Sequence, residues 1–220
     1  MSTLRVSRTH FPVTALGPGT RLGVWVQGCS LACKGCMAQD TWDAGGGVAV
    51  EVADLVALWR EAMARGAEGL TVSGGEPLQQ PEALRQFLAA VHAERDDQDI
   101  LVYTGYEESE FDDIRRNAVE FADVVVTGRF DIRRPTALIW RGSANQRMVM
   151  RTDLGRRKYT QHVDHEPERA PIQVRADESG IWLIGTPRQG GLAGLERGLR
   201  ASGLPVEGAS WRLRPPGQSG

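Results

Sequence analysis

All three cysteines of the chain lie in one eight-residue window, as Cys29, Cys33 and Cys36. An odd number of cysteines cannot form a complete set of disulfides, so their shared location indicates a single site. The spacing Cys-x3-Cys-x2-Cys brings three thiolates close enough to cap three irons of a cubane cluster, which usually takes four cysteine ligands. The fourth iron would have no cysteine and would be open to a substrate or cofactor, like the open position of a catalytic zinc site.

Two other interpretations of these thiols stay open on spacing alone. A structural zinc ion would need a fourth ligand, and His10 or His92 would have to fold back to supply it. Three unrelated buried thiols are the second alternative. Gly28, Gly35 and the flanking polar residues favour an exposed, shaped loop over that alternative.

Short apolar runs alternate with amphipathic segments around this loop. The apolar runs predict strands at residues 22–27, 70–73, 100–103 and 124–127. Apolar residues at helical spacing predict helices at residues 51–65, around 84–91 and around 111–114. This alternation predicts an α/β fold with a parallel sheet.

The residues with unusual chemistry follow the predicted strands directly. They are the three cysteines and residues 74–77, 104–106 and 128–129. Parallel strands bring such positions to one edge of a sheet, which is where α/β folds place their active sites. We therefore expect one site at the carboxyl edge of the sheet.

The C-terminal part of the chain differs in character. Residues 172–175 and 181–184 predict a β-hairpin around a turn at 177–180, and a last helix follows, ended by Gly203. This segment has too little apolar content to stand alone. It must therefore dock either on the exposed last strand of the main sheet or on the rim over the cysteine loop. Its strand-like apolar positions, Ile172, Val174, Ile181 and Leu183, favour the open strand edge.

These observations divide the chain into a core at 1–152, a polar linker at 153–170, a hairpin–helix extension at 171–204 and a flexible tail at 205–220. Within the linker, His162 and His165 have a spacing compatible with a metal, but no further ligand set accompanies them.

Composition limits the classes of function. Hydrophobic residues make up 41% and charged residues 25%, which is typical of a soluble globular protein. The 26 basic and 28 acidic residues nearly balance and predict neither a nucleic-acid nor a membrane partner. No run approaches the ~18 apolar residues of a membrane span. The N-terminus also lacks an apolar signal region, so we expect a cytoplasmic protein.

The cysteine motif followed by Gly-Gly-Glu-Pro resembles the radical S-adenosylmethionine (SAM) superfamily. Further segments are similar to the activating proteins of anaerobic ribonucleotide reductases. They are Gly17-Pro18-Gly19-Thr20-Arg21, Gln27-Gly28-Cys29, Cys36 with Thr41-Trp42, Ser73-Gly74-Gly75-Glu76-Pro77-Leu78, Tyr103-Thr104-Gly105-Tyr106, Gly128-Arg129-Phe130 and Trp140-Arg141-Gly142-Ser143-Ala144-Asn145-Gln146-Arg147. The cysteine motif specifies only the superfamily, whereas the Arg-Gly-Ser-x-Asn-Gln and Thr-Gly-Tyr segments are specific to this branch.

The resemblance implies an incomplete, open (β/α)6-type barrel with one [4Fe-4S] cluster and SAM as cofactors. The cluster ligands would be Cys29, Cys33 and Cys36. The resemblance implies no catalytic residue beyond this cluster. The implied SAM-binding residues are Gly35, Cys36, Met37, Ser73, Gly74, Gly75, Glu76, Pro77, Thr104 and Arg129.

The activity implied by the resemblance is reductive cleavage of SAM to methionine and a 5′-deoxyadenosyl radical. This radical would take the α-hydrogen of a glycine in a partner glycyl-radical enzyme such as an anaerobic ribonucleotide reductase. A flavodoxin or ferredoxin is the implied electron donor.

The sequence departs from the family pattern at three places. Met37 stands where the family often has an aromatic residue, and Thr127 stands where it often has aspartate. The pattern also ends near residue 152, whereas this chain continues to residue 220.

Two other functions remain open for the sequence. One is a stand-alone radical SAM enzyme that modifies a small molecule or peptide, with the extension closing its site. The other is an iron–sulfur or zinc module for sensing or assembly, which would leave the Gly-Gly-Glu-Pro motif without a role. Tyr103 and Tyr106 are compatible with packing or with a role in the site. Contacts to the SAM carboxylate, to a partner's backbone or between loops remain open for Arg129, Arg141 and Asn145.

Overall fold

A seven-stranded mixed sheet forms the centre of the fold. The computed structural model describes residues 2–178 and 180–212. The strands of the sheet are β1 (Thr3–Val13), β2 (Arg21–Val26), β3 (Val48–Glu51), β4 (Gly69–Gly74), β5 (Asp99–Tyr103), β6 (Val124–Thr127) and β7 (Arg147–Met150). Their order across the sheet is β3-β1-β2-β4-β5-β6-β7.

The four neighbouring strands β2, β4, β5 and β6 are parallel, whereas β1, β3 and β7 pair antiparallel with their neighbours. The predicted α/β class and its parallel centre are therefore confirmed. The finer prediction of an open six-repeat barrel is not established by this strand order. The outer strands β1, β3 and β7 were not predicted, because they contain polar residues and depend on pairing with their neighbours.

Five helices and a separate hairpin complete the described chain. The helices are α1 (Val52–Ala64), α2 (Pro81–Glu94), α3 (Asp113–Ala118), α4 (Asp153–Tyr159) and α5 (Gly191–Ala201), and the hairpin strands are β8 (Ile172–Asp177) and β9 (Gly180–Gly185). No helix in residues 2–178 and 180–212 combines the length and apolar character that crossing a membrane requires.

Helices α1, α2 and α3 cover one face of the sheet. Alternate residues of a strand point to opposite faces, so Val24 and Val26 of β2 pack against the helices while Trp25 points away. In α1, Leu55 and Trp59 are four residues apart and fully buried, as expected for one face of an amphipathic helix.

The hairpin β8–β9 covers part of the opposite face. Ile184 is 1% exposed and packs with Val13 and Trp25, and Trp182 meets Trp25 edge-on with ring centroids 4.7 Å apart. The Gln173 side chain donates to the Pro12 carbonyl at 2.8 Å. The prediction that the hairpin docks on a sheet edge is therefore wrong.

The reason lies in which hairpin face is buried. Gln173 pairs with Ile184, and their face meets the sheet. Ile172, Val174 and Ile181, which were expected to dock, are exposed. Side chains alternate in a strand, so choosing the wrong face of the hairpin inverts every side-chain assignment.

Residues 153–170, which the sequence predicts to be a polar linker, contain regular structure. They begin with helix α4, where the Thr152 hydroxyl accepts from the Gly155 N–H at 3.0 Å as an N-cap. Tyr159 is fully buried, and its hydroxyl donates to Asp99 at 2.5 Å. Gly155 and Tyr159 are the buried residues of α4, and they are too few to leave an apolar periodicity in a short polar helix.

A buried ion pair joins the amino ends of the parallel strands. Arg21 and Asp99 are both fully buried and form two hydrogen bonds, of 2.7 and 3.1 Å. The Arg21 guanidinium also donates to the Thr71 hydroxyl and to the Leu70 carbonyl, both at 2.7 Å. This network links β2, β4 and β5 at the edge opposite the cysteine loop.

Candidate iron–sulfur and SAM site

The cysteine loop begins directly after β2 and is held against the segment that follows it. Gly28 has a φ of +98°, a conformation that favours glycine, and its N–H donates to the Thr41 carbonyl at 2.8 Å. The Cys29 N–H donates to the Trp42 carbonyl at 3.1 Å, and the Cys36 N–H donates to the Cys33 carbonyl at 3.0 Å. The loop is therefore closed by its own backbone.

The three thiols are free and only partly buried. Burial raises the pKa of each one, and nearby backbone N–H groups act in the opposite direction. These groups belong to Leu31 and Ala32 at Cys29, to Phe130 at Cys33 and to Ala38 at Cys36. Backbone donors aimed at sulfur stabilise thiolate, which is the form that ligates iron, so this donor set fits an iron–sulfur cluster.

In the described part of the chain, no three His, Cys, Asp or Glu side chains converge closely enough to share one metal ion. A cubane differs from a single ion, because each cysteine binds a different iron and the thiols need only surround a common volume. His162 and His165, whose spacing is compatible with a metal, have ring centroids 6.2 Å apart, and no third His, Cys, Asp or Glu side chain joins them in the described residues.

The Gly-Gly-Glu-Pro segment after β4 is bonded to the start of the cysteine loop. The Gly75 N–H donates to the Val26 carbonyl and the Glu76 N–H donates to the Gly28 carbonyl, both at 2.8 Å. A Cβ atom on Gly75 would lie 2.3 Å from the Gly28 carbonyl oxygen. Glycine is needed at position 75 because the two backbones approach so closely.

Glu76 is not a surface charge, since it is only 1% exposed. Its carboxylate accepts from the Thr104 hydroxyl at 2.8 Å, from the Gly105 N–H at 2.7 Å and from the Leu78 N–H at 2.9 Å. Burial raises its pKa, and these hydrogen bonds oppose that rise. Glu76 thus joins the turns after β4 and β5, and its contact with SAM stays a prediction.

Arg129, after β6, forms a two-pronged pair with Glu110 at 2.6 and 2.9 Å. Beside it, the Asn145 side chain donates to the Arg129 carbonyl at 2.7 Å, and the Gln146 side chain donates to the Gly128 carbonyl at 3.0 Å. The Asn-Gln segment therefore ties down the turn that presents Arg129. The role of Arg129 toward SAM stays a prediction.

The two tyrosines have different surroundings. The Tyr103 hydroxyl is buried and has no hydrogen-bond partner in the described chain, and burial raises its pKa. Tyr106 lies below two guanidinium groups, those of Arg115 at 4.2 Å and Arg129 at 5.7 Å from the ring centroid.

Three glutamines position the loop, and two of them, Gln79 and Gln80, were not singled out in the sequence. The Gln79 side chain donates to the Ser30 hydroxyl at 2.7 Å and accepts from its N–H at 3.1 Å. Gln80 donates to the Gln27 carbonyl at 3.0 Å, and Gln27 donates to the Asp43 carbonyl at 2.8 Å. Their only sequence signal is position, directly before and after the two motifs.

The structure brings the predicted residues together at the carboxyl ends of four adjacent parallel strands. The cysteine loop with Gly35 and Met37 follows β2, Ser73–Pro77 end and follow β4, Thr104 follows β5 and Arg129 follows β6. Their location at one edge of the sheet is as predicted, while the individual roles of the residues stay predictions.

Comparison with known proteins agrees with this geometry. Residues 15–149 match the family described as "4Fe-4S single cluster domain". The chain is 34% identical over 140 residues to the anaerobic ribonucleoside-triphosphate reductase-activating protein of Enterobacteria phage T4. It is 37% identical over 144 residues to that of Haemophilus influenzae and 35% identical over 146 residues to that of Escherichia coli K12. These matches cover 62% of this chain and 88%, 92% and 93% of the three relatives.

This chain belongs to the anaerobic ribonucleoside-triphosphate reductase-activating protein family. Membership confirms the predicted enzyme class, a radical SAM enzyme, and its two cofactors, a [4Fe-4S] cluster and SAM. The family match ends at residue 149, before helix α4 and the hairpin. The C-terminal extension of this family member therefore lies outside the matched region.

Proposed function

We propose that this chain activates an anaerobic ribonucleoside-triphosphate reductase by generating a radical on one of its glycine residues. The observation that carries the proposal is the joined pair of motifs. The cysteine loop and the Gly-Gly-Glu-Pro turn are hydrogen-bonded to each other, in a chain that matches 88–93% of the length of activating proteins.

In this proposal Cys29, Cys33 and Cys36 hold the cluster, and Gly74 and Gly75 let the backbone approach the methionyl end of SAM. When bound there, a reduced cluster would supply the one electron needed to cleave SAM to methionine and a 5′-deoxyadenosyl radical. The α-hydrogen of the partner's glycine would then pass to the 5′-carbon, which would leave 5′-deoxyadenosine and a glycyl radical. A flavodoxin or ferredoxin supplies the electron, and the cytoplasmic location stays a prediction.

The finer fold assignment is part of the same proposal. Four parallel strands with the site at their carboxyl ends support an open radical SAM barrel with a core over residues 1–152. Tyr159 of helix α4 is buried against the sheet, which favours a C-terminal boundary of the core nearer residue 170 than residue 152.

One observation favours the alternative, a radical SAM enzyme that modifies a small molecule or peptide. The hairpin covers the sheet face formed by Val13 and Trp25, a face that the family-matched region alone would leave open. A covered face suits a smaller substrate better than a large partner protein.

The test is anaerobic reconstitution with iron and sulfide, followed by reduction with dithionite in the presence of SAM. We expect 5′-deoxyadenosine, and a glycyl-radical signal in electron paramagnetic resonance (EPR) when the anaerobic reductase from the same organism is added. Cleavage of SAM without any radical on the reductase would move the assignment to the alternative. Absence of SAM cleavage by cluster-loaded protein would overturn both.

A further inference from the structure

The C-terminal segment after helix α5 touches the cysteine loop directly. The Ser210 hydroxyl donates to the Met37 carbonyl at 2.6 Å, and the Gln39 N–H donates to the Ser210 carbonyl at 3.3 Å. These two bonds span the residues immediately after Cys36, the last of the three cysteines. Residues 205–212 were predicted to belong to a flexible tail, whereas Ser210 is bonded to the site.

Helix α5 anchors this segment through one carboxylate. Glu196 is 9% exposed, accepts from the Trp211 indole N–H at 2.6 Å and from the Arg212 Nε at 3.0 Å, and forms an ion pair with Arg212. The anchor fixes the two residues next to Ser210. The contact with Met37 is therefore held from both the loop side and the helix side.

A second contact joins the extension to the same loop by a different route. The Arg8 guanidinium lies 5.1 Å from the ring centroid of Trp182 in the hairpin and forms an ion pair with Asp40. Asp40 lies one residue beyond Gln39, in the short turn that closes the cysteine loop. The hairpin thus reaches the loop only through Arg8 of β1, at a residue next to those that the C-terminal segment contacts directly.

The loop segment that they contact also orients a cluster ligand. The Gln39 side chain donates to the Cys36 carbonyl at 3.2 Å. Moving Gln39 would therefore displace the backbone that carries the Cys36 sulfur. The Met37 backbone lies at the position that the family resemblance assigns to SAM.

We propose that the hairpin–helix extension, together with residues 205–212 that follow it, clamps residues 37–40, and that Ser210 is a positioning residue for SAM binding beside the cluster. This inference rests on the proposed SAM chemistry and gives the additional C-terminal segment a role in it. The extension acts through the Met37 carbonyl and the Gln39 N–H and touches no reacting atom.

The first experiment measures hydrogen exchange in the full-length, cluster-free protein. Ser210→Ala removes the hydroxyl donor, Ser210→Thr keeps it, and Ser202→Ala is the matched control because the Ser202 hydroxyl bonds only within its own helix end. We expect exchange in residues 37–40 to rise about fivefold in Ser210→Ala, the change that loss of one hydrogen bond produces. Ser210→Thr and Ser202→Ala should match the wild-type protein.

A second variant reaches the same contact from the helix side. Glu196→Ala removes the acceptor for Trp211 and Arg212 while leaving the loop untouched, and alanine preserves the helix. We expect the same faster exchange in residues 37–40. Unchanged exchange in both Ser210→Ala and Glu196→Ala would overturn the clamp.

The second experiment uses cluster-loaded protein. We expect Ser210→Ala to raise the KM for SAM about fivefold with kcat for reductive cleavage within about twofold of wild type. SAM should also produce a smaller change in the EPR signal of the reduced cluster. Faster exchange with unchanged KM and EPR would make the contact purely structural and overturn the positioning role. If wild-type protein fails to cleave SAM, the proposed function fails, and the exchange data still decide whether the clamp exists.

Discussion

At the scale of single residues, the site depends on close backbone contacts as much as on its cysteines. Gly28 and Gly75 allow two turns from neighbouring strands to touch, and Glu76 fastens a third turn to them. Side chains that bind no cofactor, such as Gln79 at Ser30, complete the arrangement. The geometry of the thiols therefore depends on residues outside the cysteine motif.

The cluster ligands give the most direct prediction. Alanine at Cys29, Cys33 or Cys36 should lower bound iron from about four per chain to near zero after reconstitution, since three thiolates hold the cubane. Iron and sulfide analysis measures this loss. Lys34→Ala is the matched control, because Lys34 is exposed within the same loop, and full iron content is expected there. Iron retained by any of the cysteine variants would remove that thiol from the ligand set.

Gly75 tests the close contact between the two motifs. If Gly75 served only to let the backbone approach SAM, a larger residue there would block SAM binding and leave the cluster intact. The structure adds that a Cβ atom here would strike the Gly28 carbonyl, so Gly75→Ala should displace the loop and lower both bound iron and SAM affinity. Gly105→Ala is the control, because its Cβ meets the flexible end of Leu31. Iron content and SAM binding equal to those of Gly105→Ala would contradict this contact.

At the scale of elements, the two edges of the parallel strands have different tasks. The carboxyl ends carry the site, whereas the amino ends are joined by the buried pair of Arg21 and Asp99. Burial would by itself raise the pKa of Asp99, but the charge and hydrogen bonds of Arg21 outweigh it and lower the pKa below its ordinary value. The pair thus stabilises the sheet without taking part in the chemistry.

Replacement of Asp99 by asparagine should destabilise the protein by about 3–5 kcal/mol at pH 7, because Arg21 would remain buried without its countercharge. The lowered pKa means that the wild-type contribution is complete above the ordinary aspartate pKa and is lost as pH falls through the folded-state value. The difference between wild type and variant should therefore shrink below about pH 4. Urea unfolding at several pH values measures this.

Asp97→Asn provides the comparison for that measurement, since the Asp97 side chain is 79% exposed and its nearest cation is 3.6 Å away. Its effect should stay within about 0.5 kcal/mol at every pH. Equal stability losses for the two variants would show that burial of the Arg21–Asp99 pair does not account for the loss in Asp99→Asn.

The hairpin offers a test of which face docks on the sheet. Ile184→Ala should lower the free energy of unfolding by about 2–5 kcal/mol, because Ile184 is 1% exposed against Val13 and Trp25. Ile181→Ala, at a residue that is 49% exposed on the other face, should cost less than about 0.5 kcal/mol. Denaturant unfolding of both variants measures these losses. A larger loss for Ile181→Ala than for Ile184→Ala would show that the face of Ile181 packs on the sheet.

At the scale of the whole molecule, the hairpin of the extension covers the sheet, and the segment after helix α5 contacts the loop of the site. The hairpin packs on Trp25, and Ser210 reaches Met37. Helix α4 belongs with the core instead, because Tyr159 bonds to Asp99. The functional boundary of the extension therefore lies after helix α4.

Two truncations separate these roles. A chain ending at Ala170 should keep cluster binding and SAM cleavage, with a raised KM for SAM and lower solubility, because Val13 and Trp25 become exposed. A chain ending at Thr152 should unfold at lower denaturant concentration than the longer truncation, because it also loses Tyr159. Unfolding curves and 5′-deoxyadenosine assays compare the two. Identical stability of both truncations would contradict the assignment of α4 to the core.

Patterns in the sequence were sufficient to predict the chemistry of this protein and the edge of the sheet that carries it. Cysteine spacing, the Gly-Gly-Glu-Pro turn and the alternation of apolar runs are local patterns, and local patterns can be read without knowing what lies opposite. The structure confirms the parallel centre of the sheet, and the family match confirms the iron–sulfur and SAM cofactors.

Which surfaces of the elements pack against each other is visible only in the folded chain. The burial of Tyr159, the hairpin face that contacts Trp25 and the bond from Ser210 to Met37 join residues far apart in the chain. A single polar residue or an alternating strand carries no local mark of its distant neighbour, because side-chain partners depend on how the elements fold together. For that reason the extension was recognised as an element from its sequence, while its contact with the site became visible only in three dimensions.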